Sequence, residues 1–121
     1  MLNDAALLID SSPGTQEGTL VLRLNGPLVL RNIFNFQTTA RADKSRSLIV
    51  DLADVPYIDS AGIGALLGAV VSRQKDGRRL ALVAVNDRVR NALQITKVLE
   101  VFSIFPALED AERALAVAQL G

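Results

Sequence analysis

The sequence predicts an α/β domain with a mixed, mostly parallel sheet, edged by an antiparallel N-terminal hairpin and backed by about four helices. Three observations lead there. From residue 47 onward, short apolar runs rich in β-branched residues alternate with segments of helical periodicity. Only a few residues separate each run from the next, which implies right-handed βαβ crossovers. Before residue 47, two apolar runs flank a turn-rich stretch, the pattern of a hairpin.

Taken in order, Ala6–Ile9 reads as a weak strand, followed by the turn residues Ser11, Ser12, Pro13 and Gly14. Thr19–Leu24 is β-branched and apolar and stops at Asn25-Gly26; a second extended run, Pro27–Leu30, follows the bend. Asn32 opens a helix in which Ile33, Phe36, Gln37 and Ala40 fall a turn apart, with Phe34 beside them, so the phenylalanines are expected inside. Ser47–Asp51 is the kind of short apolar strand that is buried on both faces. A central segment, residues 54–64, then leads into a helix that ends near Lys75, with Gly77 as its left-handed cap. Leu80–Val85 reads as a strand, and Asn86 or Asp87 can cap a short helix carrying Val89, Leu93 and Ile95. Val101–Phe105 is a last strand, stopped by Pro106. The final helix carries Leu108, Ala111, Leu115 and Ala118, with Glu109 and Asp110 where the helix dipole favours acids.

No linker or repeat divides the 121 residues, so one domain over 1–121 is expected: a weak strand and turn-rich stretch over 1–17, then a core over 18–119. The absence of a long apolar run and of a signal-peptide pattern, with no cysteine, points to the cytoplasm and away from a membrane. Without histidine or cysteine, no Ser-His-Asp or Cys-His triad and no imidazole–thiolate zinc site can be built. No phosphate loop or dinucleotide turn is present, and no cofactor or metal is expected. Thirteen basic residues balance thirteen acidic ones, which argues against direct nucleic-acid binding. Residues 72–97 nevertheless hold seven basic side chains against two acidic, either an acidic partner's footprint or a solvated face.

The helix from residue 60 carries the functional signal. At 100° per residue, Ile63, Leu66, Leu67, Val70 and Val71 form a core-facing stripe. Ala61, Gly64, Ala65, Gly68, Ala69 and Ser72 form a second face, and residues 60–72 carry no charge. Such a face lets another backbone approach closely, whether from a partner protein, a second copy, or the chain's own fold. Ser60 opens the helix. As its N-cap it would accept a backbone N–H, and a phosphate there would meet the positive end of the helix dipole. Asp59 before it would repel a phosphate, while Gly62 and Gly64 would leave the first turn uncrowded.

Leu48–Leu52, the run Val55-Pro-Tyr-Ile-Asp-Ser-Ala-Gly-Ile-Gly64, Gly77–Val83, Val89–Leu99 and Phe105–Ala111 together resemble the STAS domain of anti-sigma factor antagonists. The resemblance implies a four- to five-stranded sheet backed by helices. It implies a non-enzymatic switch that captures an anti-sigma factor when unphosphorylated and lets go when Ser60 is phosphorylated. Its implied partners are an anti-sigma factor with serine kinase activity and a PPM-type serine phosphatase. Around the phosphosite stand Asp59, Ala61, Gly62, Ile63 and Gly64; the expected partner surface is Tyr57, Ile58, Ala61, Gly64, Ala65, Gly68 and Arg88. One departure is plain: where the family often has Gly-Glu-Leu-Asp, this chain has Gly26-Pro27-Leu28-Val29, so an acid near the serine is replaced by Val29. That departure suits an alternative, a constitutive scaffold or small-ligand module on the same fold. A third reading, catalysis by Asp51, Asp54 and Asp59, lacks a base or phosphate cradle.

Overall fold

A computed structural model describes residues 6–120, with side chains through residue 116. The elements run β1 (Leu8–Pro13), β2 (Thr19–Asn25), α1 (Ile33–Ala42), β3 (Ser47–Asp54), α2 (Ser60–Lys75), β4 (Arg79–Val83), α3 (Asp87–Ile95), a 3-10 turn (Leu99–Val101), β5 (Ser103–Phe105) and α4 (Leu108–Leu120). Among the described residues the sheet has five strands in the order β1-β2-β3-β4-β5. β1 pairs antiparallel with β2, and all later pairs are parallel. The expected mixed sheet with its N-terminal hairpin is therefore present.

Alternation along the strands divides the core in two. Leu22, Leu24, Leu48, Val50, Leu52 and Leu82 face α1, α2 and α3, where Phe36, Leu66 and Leu93 are fully buried. Val21, Ile49, Ala81 and Val83 face the other way, onto Ala111 and Leu115 of α4. β2, β3 and β4 are thus apolar on both sides, which is why they read as continuous hydrophobic runs.

The hairpin differs in register from the expectation. β1 starts later and runs through Ser11, Ser12 and Pro13, so the turn lies beyond Pro13, at 14–18. An edge strand tolerates Pro13, whose missing N–H would disrupt a central strand. Gly18, with φ +82°, turns the chain into β2. Residues 27–30 are not a strand either. Gly26 (φ +124°) swings the chain away from β1, leaving one parallel bridge between Leu28 and Ile58.

Phe36 is buried as expected, but Phe34 is 73% exposed, so α1 hides only one of its two phenylalanines. β4 ends at Val83 because Ala84 adopts the left-handed region, φ +58°. The stretch 101–105 is strand only from Ser103, after the 3-10 turn. Gly77 (φ +71°) follows α2 as expected, with the Arg78 N–H donating back to the Arg73 carbonyl. Of the two possible caps of α3, Asn86 is the one used: its side chain accepts the Val89 N–H at 2.8 Å.

Candidate functional site

The loops after β2, β3 and β4 meet at the carboxyl edge of the sheet, where open α/β folds place their binding surfaces. Hydrogen bonds between the loops hold them together. The Leu28 N–H donates to the Tyr57 carbonyl, and the Asp59 N–H donates to the Leu28 carbonyl. The Asn86 amide donates to the Val55 carbonyl at 2.9 Å. The start of α2 is therefore fixed by both neighbouring loops.

Asp59, not Ser60, is the N-cap of α2. Its backbone is extended, one carboxylate oxygen accepts the Gly62 N–H at 2.9 Å, and the other accepts the Leu30 N–H at 3.1 Å. A carboxylate can serve two donors on opposite sides at once; a serine hydroxyl is too short to do so. Ser60 becomes the first helical residue, and it is exposed. Its hydroxyl lies at the surface with no hydrogen bond among the described residues.

The glycines of the first turns differ in purpose. A Cβ on Gly62 would lie 2.1 Å from the Leu28 oxygen, so the fold itself demands glycine there, and that part of the turn is crowded rather than open. Beyond the backbone of α2 itself, a Cβ on Gly64 or Gly68 would meet no atom within 4 Å. The chain's own packing gives no reason for glycine at those two positions.

The stripe of α2 is rotated from its expected place. Ile63, Leu66 and Val70 are buried, but Leu67 is half-buried and Val71 is 51% exposed. Ala65, expected on the partner surface, is buried at 5% exposure in the floor of a groove against α1. Two clamps hold α2 in this orientation. At one end Asp59 binds the Leu30 N–H; at the other, the Arg73 guanidinium pairs with Asp43 at 3.1 Å just past the end of α1. Arg73 also donates to the carbonyls of Ser45 and Arg79. Burial holds its pKa below the usual arginine value, with Asp43 acting in the opposite direction. Arg73 therefore leaves the basic surface expected over 72–97, and Arg78 is tied to Asp76 and to the Asp43 carbonyl.

α1 and α2 consequently run side by side in the same direction, with a groove of about 170 Å³ between them. Gly64, Gly68 and Ser72 are exposed along it, while Ala61 and Ala69 are half-buried. Tyr57 and Ile58 are half-buried beside the cap, and the Arg88 guanidinium lies over the Tyr57 ring, 4.9 Å from its centroid. Ile63 is core. Val29, where the family resemblance would lead one to expect an acid, is buried at 8% exposure.

Asp51, Asp54 and Asp59 do not form a carboxylate centre. Asp51 pairs with Arg23 and accepts the Ala53 N–H, while Asp59 caps α2. No group of three potential ligands converges among the described residues. No described helix is long and apolar enough to cross a membrane.

Sequence reasoning missed Gln37 and Arg41, which line the groove from the α1 side, and the exposed Leu30 (70%) and Phe34, of which Leu30 is tied to Asp59 through its N–H. For Phe34 a signal existed: it lies about 100° around the helix from Ile33, away from the stripe of Ile33, Phe36 and Ala40. For the others the cue is the pairing of α1 with α2, which is tertiary.

Comparison with known proteins agrees with this architecture. The anti-sigma-B factor antagonist of Staphylococcus aureus is 25% identical over 93 residues, covering 74% of this chain and 86% of that protein. A candidate anti-sigma factor antagonist from Thermotoga maritima superposes with a TM-score of 0.81 at 21% identity, over 88% of this chain and 92% of that one. A sulfate transporter family protein from Wolinella succinogenes superposes with a TM-score of 0.72 at 26% identity, over 87% and 88% of the two chains. The family model for the STAS domain matches residues 12–111, from the end of β1 to the first turn of α4, and the chain belongs to the STAS domain family.

Proposed function

We propose that this chain is an anti-sigma factor antagonist, a non-enzymatic cytoplasmic switch that captures an anti-sigma factor while Ser60 is unmodified and releases it when Ser60 is phosphorylated. The observation that carries the reading is an exposed hydroxyl, without a hydrogen bond among the described residues, opening onto a helical face with no charge and two glycines the fold does not require. The name of the Staphylococcus aureus relative supports it. In the reaction, the serine kinase activity of the partner moves the γ-phosphoryl group of ATP to the Ser60 oxygen. The new O–P bond replaces the bond to ADP, which leaves, and the hydroxyl proton goes to a base on the kinase. Roughly −1.5 to −2 charges are then added at the head of the uncharged Gly/Ala face of α2, and a docked partner would have to bury them. A PPM-type serine phosphatase restores the hydroxyl by hydrolysis.

Incubation with the partner kinase and ATP, followed by mass-spectrometric mapping, tests this directly. Phosphate is expected on Ser60; phosphate only elsewhere, or none, overturns the switch. Ser60→Ala is expected to keep binding the anti-sigma factor and Ser60→Asp to lose it. Equal binding by the two removes Ser60 from control. A second reading, constitutive docking on the same fold, draws on the buried Val29 and on the likeness to the Wolinella succinogenes protein. It expects equal binding by both variants.

A further inference from the structure

Resting on the reading above, we infer that the anti-sigma partner docks across both helices, laying an amphipathic helix over the α1–α2 groove with a carboxylate directed at Arg41. Four observations converge. Phe34, Gln37 and Arg41 stand at i, i+3 and i+7 on one face of α1, and Gln37 and Arg41 line the groove. At the Ser60 end that face begins with two large exposed apolar side chains: Phe34, and Leu30, whose own N–H is held by Asp59 beside Ser60. At the far end stands Arg41, exposed, with no acidic partner among the described residues. The groove lining contains two arginines and no acid, and Arg73 is spent on Asp43.

These features specify the occupant. The groove's roughly 170 Å³ is about the size of a cavity that accepts benzene, so it seats one apolar side chain rather than a whole helix. Open space above Gly64 and Gly68 lets the backbone carrying that side chain come close. Phe34 and Arg41 are two helical turns apart, ~10 Å. A partner helix crossing parallel to α1 would therefore present apolar residues near Phe34 and an acid about two turns away, the pattern of helix-in-groove recognition. Charge complementarity sets the orientation, and the apolar pair supplies the desolvated centre. The arrangement also places the partner's apolar contact against Ser60, where a phosphate is most disruptive.

A photo-crosslinking amino acid placed at positions 34, 37 and 61 of the full chain, in its native cells, locates the partner segment by mass spectrometry. Crosslinks from 34 and 37 are expected to reach the same protein as those from 61, in a helical segment with an apolar residue and an acid about seven apart. With that protein purified, Arg41→Glu should weaken binding by roughly tenfold or more, and converting the mapped acid to lysine should restore it. Gly68→Leu should weaken binding at least as much without lowering the melting temperature. Crosslinking from 61 alone overturns the groove inference and leaves the antagonist reading standing. Crosslinking to a second copy of this chain overturns it in favour of a dimer. Absence of crosslinks from all three positions removes the antagonist reading as well.

Discussion

Replacing Gly64 and Gly68 with alanine is expected to make the protein more stable. Both positions are in the interior of α2, where glycine costs about 1 kcal/mol relative to alanine through backbone entropy. Beyond the helix's own backbone the added methyl groups would touch nothing within 4 Å, so no packing penalty offsets that gain. Each substitution should therefore add about 1 kcal/mol, and the pair about 2 kcal/mol. For a domain of this size that corresponds to a rise in melting temperature on the order of 4 °C per substitution. Gly62→Ala provides the internal contrast. Its Cβ would press into the Leu28 carbonyl oxygen at 2.1 Å and the Ile58 side chain at 2.6 Å, and overpacking of this kind costs about 1–3 kcal/mol or more.

Urea denaturation read by circular dichroism measures the whole set. Midpoints should rise for Gly64→Ala and Gly68→Ala, and fall for Gly62→Ala, with unchanged denaturant dependence. The stabilised variants should at the same time bind the anti-sigma factor more weakly, because the methyl groups stand where the partner's backbone would lie. If Gly64→Ala and Gly68→Ala were neutral or destabilising, the space above them would be occupied by the chain's own elements. The small-residue face would then be internal packing, and the docking argument would fail with it.

Other expectations concern the clamps that position α2. Arg73→Ala should destabilise by about 3–5 kcal/mol, since it strands the Asp43 carboxylate and the Ser45 and Arg79 carbonyls in a buried site; thermal unfolding would show it, and a loss below 1 kcal/mol would mean water replaces the guanidinium. Asp59→Ala should cost about 1–2 kcal/mol by removing the helix cap and the Leu30 tether together, whereas Asp59→Asn should recover much of the loss. Hydrogen exchange at the Leu30 and Gly62 amides should accelerate in Asp59→Ala, and unchanged exchange at both would place the cap elsewhere.

The strands were legible because burial on both faces leaves a composition signal that needs no tertiary information: Leu48–Val50 and Leu80–Val83 could hardly be anything else. Edges and loops were less legible, because tertiary context decides them. Pro13 looks like a turn residue until it is known to lie on an edge, and Pro27–Leu30 looks like a strand until the parallel bridge to Ile58 claims only Leu28. The position of Ser60 at the mouth of α2 was readable from the spacing of apolar residues after it. The choice of Asp59 as cap was not, since the second donor that favours a carboxylate, the Leu30 N–H, arrives from a loop 29 residues away. Likewise the buried pair of Arg73 and Asp43, 30 residues apart, turns an expected surface cation into a structural one, while Val71, expected in the core stripe, lies at the surface.

The transfer of the cap from Ser60 to Asp59 has a consequence for how a switch here must work. A capping hydroxyl is part of the scaffold, and modifying it would give up a bond worth about 1 kcal/mol and loosen the start of the helix. Asp59 relieves Ser60 of that duty: its carboxylate holds α2 and the loop after β2 simultaneously, while the serine oxygen makes no bond that the fold would miss. A phosphate added there is not drawn into the Gly62 N–H, because that donor is already taken. It is also repelled by the neighbouring carboxylate, which favours an orientation outward over the Gly/Ala face of α2. In the proposed cycle the two states would therefore share one backbone and differ only in surface charge. The free-energy difference between capture and release would then come from desolvating a phosphate at an apolar contact, with no refolding of this chain.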